Sequence, residues 1–309
     1  MFHPHDIIEI LAGNVKQTKS PFGIPKFMAN RWWKSQNLPK TGEYMLITGL
    51  MYQFTPFIDK STRYLEAFED TKWAKYLKYA RYMPGYLSGM GLALITSLKA
   101  QKKAGKALED IAGLLVKSGI NFGYNPNIDN YSGILLYDLG DQEGFVAHAD
   151  YVAKKLKKAG VHRIITVDPH TTYALKVLVP KYTGYQFDVT PYFELLDLKG
   201  EEKNLQVTLH DPCFYGRYLK TSKTPVSLLS GMGIKTSGIR NNGEFTNCCG
   251  GPAEAISPRL SHEIMEKRVE ELKVPGKPIV AMCPICLGNL KKSGAEVEDL
   301  SALLARHAG

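Results

Sequence analysis

Lys277-Pro-Ile-Val-Ala-Met-Cys-Pro-Ile-Cys286 runs from a short apolar strand straight into two cysteines. The amphipathic segment Pro258–Leu272 precedes it, with Glu263, Glu266, Lys267, Glu270 and Glu271 on its polar side, and predicts a helix. Ser257 is placed to cap that helix, and Pro258 suits the first helical position. The same order recurs upstream. Phe145–Ala159 has helical apolar spacing, and His162–Val167 reads as the strand that follows. Helix then strand, twice, with short links, predicts an α/β fold with parallel pairing.

All five cysteines lie in the last third of the chain: Cys213, Cys248, Cys249, Cys283 and Cys286. Val207-Thr-Leu-His210 reads as a buried strand running into Asp211-Pro212-Cys213. Phe245-Thr-Asn-Cys-Cys-Gly-Gly-Pro252 carries the glycines and proline of a tight turn. Three distant segments would therefore have to meet to build one thiolate site. Disulfides fit poorly, because the count is odd, adjacent cysteines bridge badly and no secretory signal opens the chain. A single zinc ion wants four ligands in a closed tetrahedron, often as two CxxC pairs, and there is one such pair here. Neighbouring side chains point apart, so Cys248 and Cys249 reach different metal atoms more easily than one. That favours a polynuclear cluster; a zinc-stabilised scaffold and buried thiols without metal stay open.

The spacing Cys-x34-Cys-Cys-Gly-x32-Cys-x2-Cys resembles the cysteine-rich CCG domain found in the B-type subunit of heterodisulfide reductase and in related iron–sulfur oxidoreductases. The flanks agree: His210-Asp-Pro-Cys-Phe-Tyr-Gly-Arg-Tyr218, Asn247-Cys-Cys-Gly-Gly251 and Met282-Cys-Pro-Ile-Cys286. The likeness covers about residues 205–292. It implies a noncubane [4Fe-4S] cluster with all five cysteines as its ligands, in a redox subunit that passes electrons to or from a disulfide or thiol-type sulfur substrate. It also implies two partners from the same kind of complex, a ferredoxin-like iron–sulfur subunit of the C type and a flavin subunit of the A type. A pure electron-transfer or assembly subunit of a membrane- or quinone-linked complex is the alternative. His210 and Arg217 flank the site and are candidates for stabilising a thiolate or the charge of a cluster; the plainer reading is a strand-end hydrogen bond and a salt bridge.

The family often carries two such domains, and a second copy is visible without its cysteines. Asn130-Tyr-Ser-Gly133 aligns with Asn247-Cys-Cys-Gly250, and Arg163-Ile-Ile-Thr-Val-Asp-Pro-His-Thr171 with the stretch that ends at Cys286. Ser132 to Asp168 is 36 positions and Cys249 to Cys283 is 34. Glu43-Tyr-Met-Leu-Ile-Thr-Gly-Leu50 supplies the strand, with Leu50 at the cysteine position. Leu50, Tyr131, Ser132, Asp168 and Thr171 thus stand where the family has ligands. The expected architecture is two similar α/β lobes with parallel-type sheets, related as a pseudo-twofold internal repeat, with one cluster only. The first lobe is then a structural remnant, or a pocket with Asp168, His170 and Thr171 as polar groups. His170 alone reads as a hydrogen-bonded structural histidine.

The boundaries are expected at 1–40 for an N-terminal extension, 41–190 for the cysteine-free lobe and 191–309 for the cysteine-bearing lobe. A helical insertion fills about 58–120. With no cysteine near the N-terminus, a ferredoxin module is expected as a separate subunit. Tyr82–Leu98 is uncharged but broken by Pro84, Gly85, Gly89 and Gly91. It reads as a buried helical hairpin or a subunit contact, with membrane-surface docking through its lysine flanks as the sharper alternative. The chain has 309 residues, 44% of them apolar, which is ample for two cores. A net charge of +9 is spread along the chain without a nucleic-acid motif, so acidic redox partners, an anionic substrate or a membrane surface are the expected counterparts. Clustered free thiols and the lack of a leader predict a cytoplasmic location.

Overall fold

A computed structural model describes residues 3–72, 74–201 and 203–308. Met1 and Phe2 of the expected extension, Trp73 of the insertion, and Glu202 and Gly309 of the cysteine-bearing lobe lie outside the described residues.

The fold is α/β, with two four-stranded parallel sheets. The first contains β1 (Tyr44–Ile47), β2 (Phe122–Gly123), β3 (Arg163–Thr166) and β4 (Asp188–Pro191) in the order β2-β1-β3-β4. The second contains β5 (Gln206–His210), β6 (Lys235–Ser237), β7 (Ile279–Ala281) and β8 (Val297–Asp299) in the order β6-β5-β7-β8. Both lobes therefore repeat one topology, with their first and third strands paired at the centre. Central strands of parallel sheets are covered on both faces and read as unbroken apolar runs. Leu46, Ile164, Ile165 and Ala281 accordingly have no exposed surface.

Burial extends across the lobes. Leu46, Tyr124 and Ile165 of the first share one core with Leu209, Tyr215, Val280 and Leu303 of the second. The Tyr52 hydroxyl donates to the Asp299 carboxylate at 2.8 Å, also across this boundary. The loops after β1, β3, β5 and β7 are thereby held on one side of a continuous body, at the carboxyl ends of their strands, where α/β folds place ligands.

The expected insertion is helical. Met51–Glu69 and Leu98–Lys117 are long helices, with Ala74–Tyr82 as a 3₁₀ turn and Gly85–Ile95 as a helix between them. The buried hairpin expected over Tyr82–Leu98 is not formed. That stretch contains the single helix Gly85–Ile95, which lies against the N-terminal helix Pro4–Thr18. Its glycines explain why. A Cβ on Gly85 would sit 2.5 Å from the Asn14 side chain, and one on Gly89 would sit 2.1 Å from the Gly23 backbone. The small residues permit close approach on one side, and the large apolar residues Leu87, Met90 and Leu94 remain exposed on the other. Among the described residues, no helix is long and apolar enough to cross a membrane.

Candidate metal centre

The strand ends β5 and β7 deliver Cys213 and Cys283 to the same place. Cys213 opens a π-helical turn, Phe214–Tyr218. Cys283 is the N-cap of the helix Pro284–Lys292, which carries Cys286 in its first turn. The Cys248-Cys249 pair arrives on the turn before Gly250, whose φ is +85°. A Cβ there would sit 2.7 Å from the Ser261 carbonyl, so the turn needs glycine. The five sulfurs form a connected group. Cys213 is hydrogen-bonded to Cys248, Cys248 to Cys249, Cys249 to Cys286, and Cys286 to Cys283. All five are free, with Cys249, Cys283 and Cys286 buried and Cys213 and Cys248 half-buried.

The protons are shared unequally. Hydrogen bonds from the Cys213 and Cys249 thiols, with the Gly250 N–H at 3.3 Å, pull Cys248 far below the ordinary thiol range. Burial pushes Cys283 up, but the Cys286 thiol and the His170 charge outweigh it and bring Cys283 down to about 6. Cys213, Cys249 and Cys286 are pushed up as partners of those thiolates. A helix N-terminus stabilises a thiolate at Cys283. A bound cation would deprotonate the remaining thiols.

His210 lies at the sulfurs: one of its ring nitrogens and the Sγ atoms of Cys249 and Cys286 are within 4.8 Å of one another. Burial and the Arg268 charge lower its pKa to about 3, so the ring is neutral. Arg268 Nε donates to His210 Nδ1 at 3.2 Å, which leaves the proton on Nε2. That N–H has no partner among the described residues. Arg217 behaves differently. Its guanidinium donates to the Thr246 carbonyl, and the side chain is largely exposed. It ties the turn after Cys213 to the residue two before Cys248 and is not directed at sulfur.

Two contributors go beyond the sequence reading. Arg268 is almost fully buried and also donates to Thr246 Oγ1 at 3.1 Å, the Asn241 carbonyl at 2.9 Å and Glu271 at 2.7 Å. It fastens its own helix, Pro258–Lys273, to the cysteine turn. A signal existed: Arg268 stands on the apolar stripe Met265, Val269, Leu272, where a charge is out of place. His170, read as a structural histidine, comes from the other lobe and places Nδ1 3.7 Å from Cys283 Sγ. Burial opposes its charge, but the Cys283 thiolate and Asp168 carboxylate prevail and raise its pKa well above the ordinary value.

The cysteine-free lobe keeps the backbone and changes the contents. Gly133 has φ +87°, matching Gly250. Asp168 caps the helix Pro169–Tyr173, and its Oδ1 accepts from the backbone N–H groups of His170 and Thr171 at 2.9 and 3.0 Å. Leu50 and Tyr131 pack with Phe54 in the core. The turn is tied to the loop after β1 by Asp129. That carboxylate accepts from the Thr48 and Gly49 N–H groups, the Thr48 hydroxyl and the Tyr124 hydroxyl, at 2.6 to 3.1 Å. The Ser132 and Thr171 hydroxyls have no partner among the described residues.

A cavity of about 380 Å³ adjoins the cysteine loops. Gly251, Ile285 and His170 are part of its lining, and apolar side chains of the helical layer form most of its walls.

These positions match a known pattern. A cysteine-rich domain family, CCG, matches residues 207–291. Residues 207–291 are a CCG domain. Among relatives, the EtfAB:quinone oxidoreductase of Syntrophomonas wolfei is 30% identical over 240 residues, covering 71% of this chain and 31% of the relative. The D subunit of the dihydromethanophenazine:CoB–CoM heterodisulfide reductase of Methanosarcina barkeri is 28% identical over 247 residues, 65% of this chain and 60% of the relative. The B subunit of the CoM/CoB fumarate reductase of Methanothermobacter marburgensis is 28% identical over 143 residues, 43% and 28% of the two chains. The matched part thus spans between 31% and 60% of the first two relatives. The CCG domain contains every cysteine of this chain, whereas the likeness to the relatives reaches well outside it.

The donor set fits an iron–sulfur group. Five thiols form one connected group, His210 lies beside Cys249 and Cys286, and its Nε2–H lacks a partner among the described residues. A Cβ on Gly251 would meet Ile285 at 2.6 Å and lie 3.7 Å from Cys249 Sγ, so the absence of a side chain keeps room beside the sulfurs.

Proposed function

We propose that this chain is an iron–sulfur redox subunit holding one noncubane [4Fe-4S] cluster on Cys213, Cys248, Cys249, Cys283 and Cys286. It passes electrons to or from a disulfide or thiol-type sulfur substrate. The convergence of five thiols from three segments carries the reading. When bound, such a cluster supplies one-electron redox chemistry tuned by surrounding hydrogen bonds. The chain's own residues do the rest. The neutral His210 ring stands beside the sulfurs with its tautomer fixed by Arg268, and its unpartnered Nε2–H would be free to donate to a bound cluster and stabilise negative charge there. Arg217 and Thr246 hold the cysteine turn in register with the loop after β5. The half-buried Cys213 and Cys248 form the side from which a sulfur substrate approaches.

The partners we propose are a ferredoxin-like iron–sulfur subunit and a flavin subunit, in a complex in the reducing cytoplasm. The net charge of +9 suits an acidic electron donor and speeds the encounter. A second reading, electron relay in a membrane- or quinone-linked complex, is favoured by the apolar lining of the cavity.

The test is spectroscopic. Anaerobically purified protein is oxidised, and its electron paramagnetic resonance is recorded with and without a small thiol. A signal that changes on thiol addition supports direct sulfur chemistry. An iron–sulfur signal indifferent to thiols leaves electron relay, and zinc without iron or sulfide overturns the redox reading.

A further inference from the structure

The cavity and the surface above it belong to the same helices. Leu11, Phe54, Ile58, Leu65, Leu77 and Leu92 supply apolar wall. Leu77 and Leu92 come from the 3₁₀ turn Ala74–Tyr82 and the helix Gly85–Ile95. The outer side of those two elements is unusually apolar and aromatic. Tyr79, Tyr82, Leu87 and Leu94 are exposed by 56%, 70%, 52% and 79%. Basic groups alternate with the rings: Lys75 lies over Tyr76, Lys78 over Tyr79 and Arg81 over Tyr82, at 4.9 to 5.3 Å. Lys99, Lys102 and Lys103 follow on the next helix.

Rings and leucines mixed with cations are the composition of a surface that rests in a lipid headgroup layer. Scattered exposed leucines need no explanation, but a continuous face of this kind does. A protein partner would bury it too. The charge pattern and the apolar hollow directly beneath favour an anionic membrane, which both attracts the lysines and stores lipophilic molecules.

The cavity lining is mostly apolar, and its polar members include His170, whose Nδ1 lies 3.7 Å from Cys283 Sγ, and Asp138. Its volume of about 380 Å³ lies within the range of small-molecule sites. A ligand suited to it has a compact polar head and an apolar chain.

We propose that the Ala74–Ile95 face docks on anionic membrane and that the cavity admits an isoprenoid-quinone-type carrier, head inward against Ile285 and His170. This deepens the redox reading of the thiolate site and rests on it, specifically on its quinone-linked form. The aromatic face orients the opening toward the lipid, so the carrier passes from bilayer to cavity without crossing water.

Two experiments on the full chain decide it. In the first, flotation is measured with phosphatidylcholine vesicles, with and without about 30% phosphatidylglycerol. Flotation only with the anionic vesicles, weakened about tenfold in Leu87→Glu/Leu94→Glu, is expected. No flotation with either overturns the docking, as does unchanged lipid binding in that variant together with loss of a ferredoxin-type subunit. In the second, decyl-ubiquinone and decanol are titrated by calorimetry. Saturable quinone binding, at least about tenfold tighter than decanol and weakened in both Leu65→Trp and Ile58→Trp, is expected. Equal binding of decanol, or quinone binding unaffected by both variants, overturns the cavity assignment. Iron and sulfide are measured on the same samples. Iron retained without quinone binding removes this inference alone; quinone binding without iron removes the cluster reading alone.

Discussion

The turns at Gly133 and Gly250 share a backbone, with φ of +87° and +85°, and have opposite contents. In the second lobe the turn brings Cys248 and Cys249 to three further thiols. In the first it brings Tyr131 and Ser132 into a core sealed by Leu50 and Phe54. Where the second lobe has Cys283 at a helix N-cap with its sulfur turned to Cys286 and His170, the first places Asp168, which caps the helix with its own carboxylate. One lobe leaves sulfur available to a metal. The other has no thiol at the matching positions: Leu50 and Tyr131 pack in the core, Asp168 caps its helix, and Asp129 joins the loops by hydrogen bonds. The lesson is that one turn-and-strand-end backbone can be joined by thiols in one lobe and by capping, packing and carboxylate hydrogen bonds in the other.

The comparison is broken most sharply at the cysteine turn. Cys249→Ser is expected to abolish the visible iron–sulfur absorption, while Ser132→Ala in the matching position leaves iron content unchanged. Both follow from absorption spectra and iron analysis of anaerobic samples. Next is Asp129. Its carboxylate accepts four hydrogen bonds in a fully buried site, and removing it leaves those donors unpaired. Asp129→Ala should cost about 3 kcal/mol in chemical denaturation, with iron retained.

A pH difference separates the lobes as well. His148 underlies Gly133, and Met265 underlies Gly250. Burial lowers the His148 pKa from 6.5 to about 4, although its Nε2–H bonds the Tyr131 carbonyl at 2.7 Å. The unfolded chain therefore binds the proton first. Stability is complete above pH 6.5 and falls as the pH drops toward 4. The loss is at most about 3 kcal/mol. His148→Met should flatten the stability profile across this window; a profile of unchanged slope would contradict the assignment. The smallest effect is expected for Asp168→Asn, which keeps a cap of similar shape. Its cost should stay below about 1 kcal/mol, against about 1 kcal/mol for Asp168→Ala, both read from thermal unfolding.

Much of this is legible in the chain. Helix-strand order and apolar runs point to the parallel α/β fold, and the Asn-Tyr-Ser-Gly133 echo points to the repeated topology. Ser257 does cap its helix, accepting from the Leu260 N–H at 3.3 Å. The sulfurs of all five cysteines do meet. What stays hidden depends on packing between distant segments. His170 reaches Cys283 only because the lobes share a core, and no local pattern reports that. Hydropathy makes Tyr82–Leu98 look buried because it cannot say which side of a helix is covered; the glycines fix the inner side and leave the leucines outward. Arg268 is visible in principle as a charge on an apolar stripe. The cavity draws its walls from helical segments far apart in the chain and has no linear signature.

The central claim is that one lobe holds an iron–sulfur cluster and the other holds none. It is tested most directly by counting iron, zinc and acid-labile sulfide per chain in anaerobically reconstituted protein, in parallel with Cys249→Ser. The expected result is about four iron atoms with matching sulfide in the native chain, little in the variant, and no zinc in either. Zinc without sulfide, or iron that persists in Cys249→Ser, would contradict it.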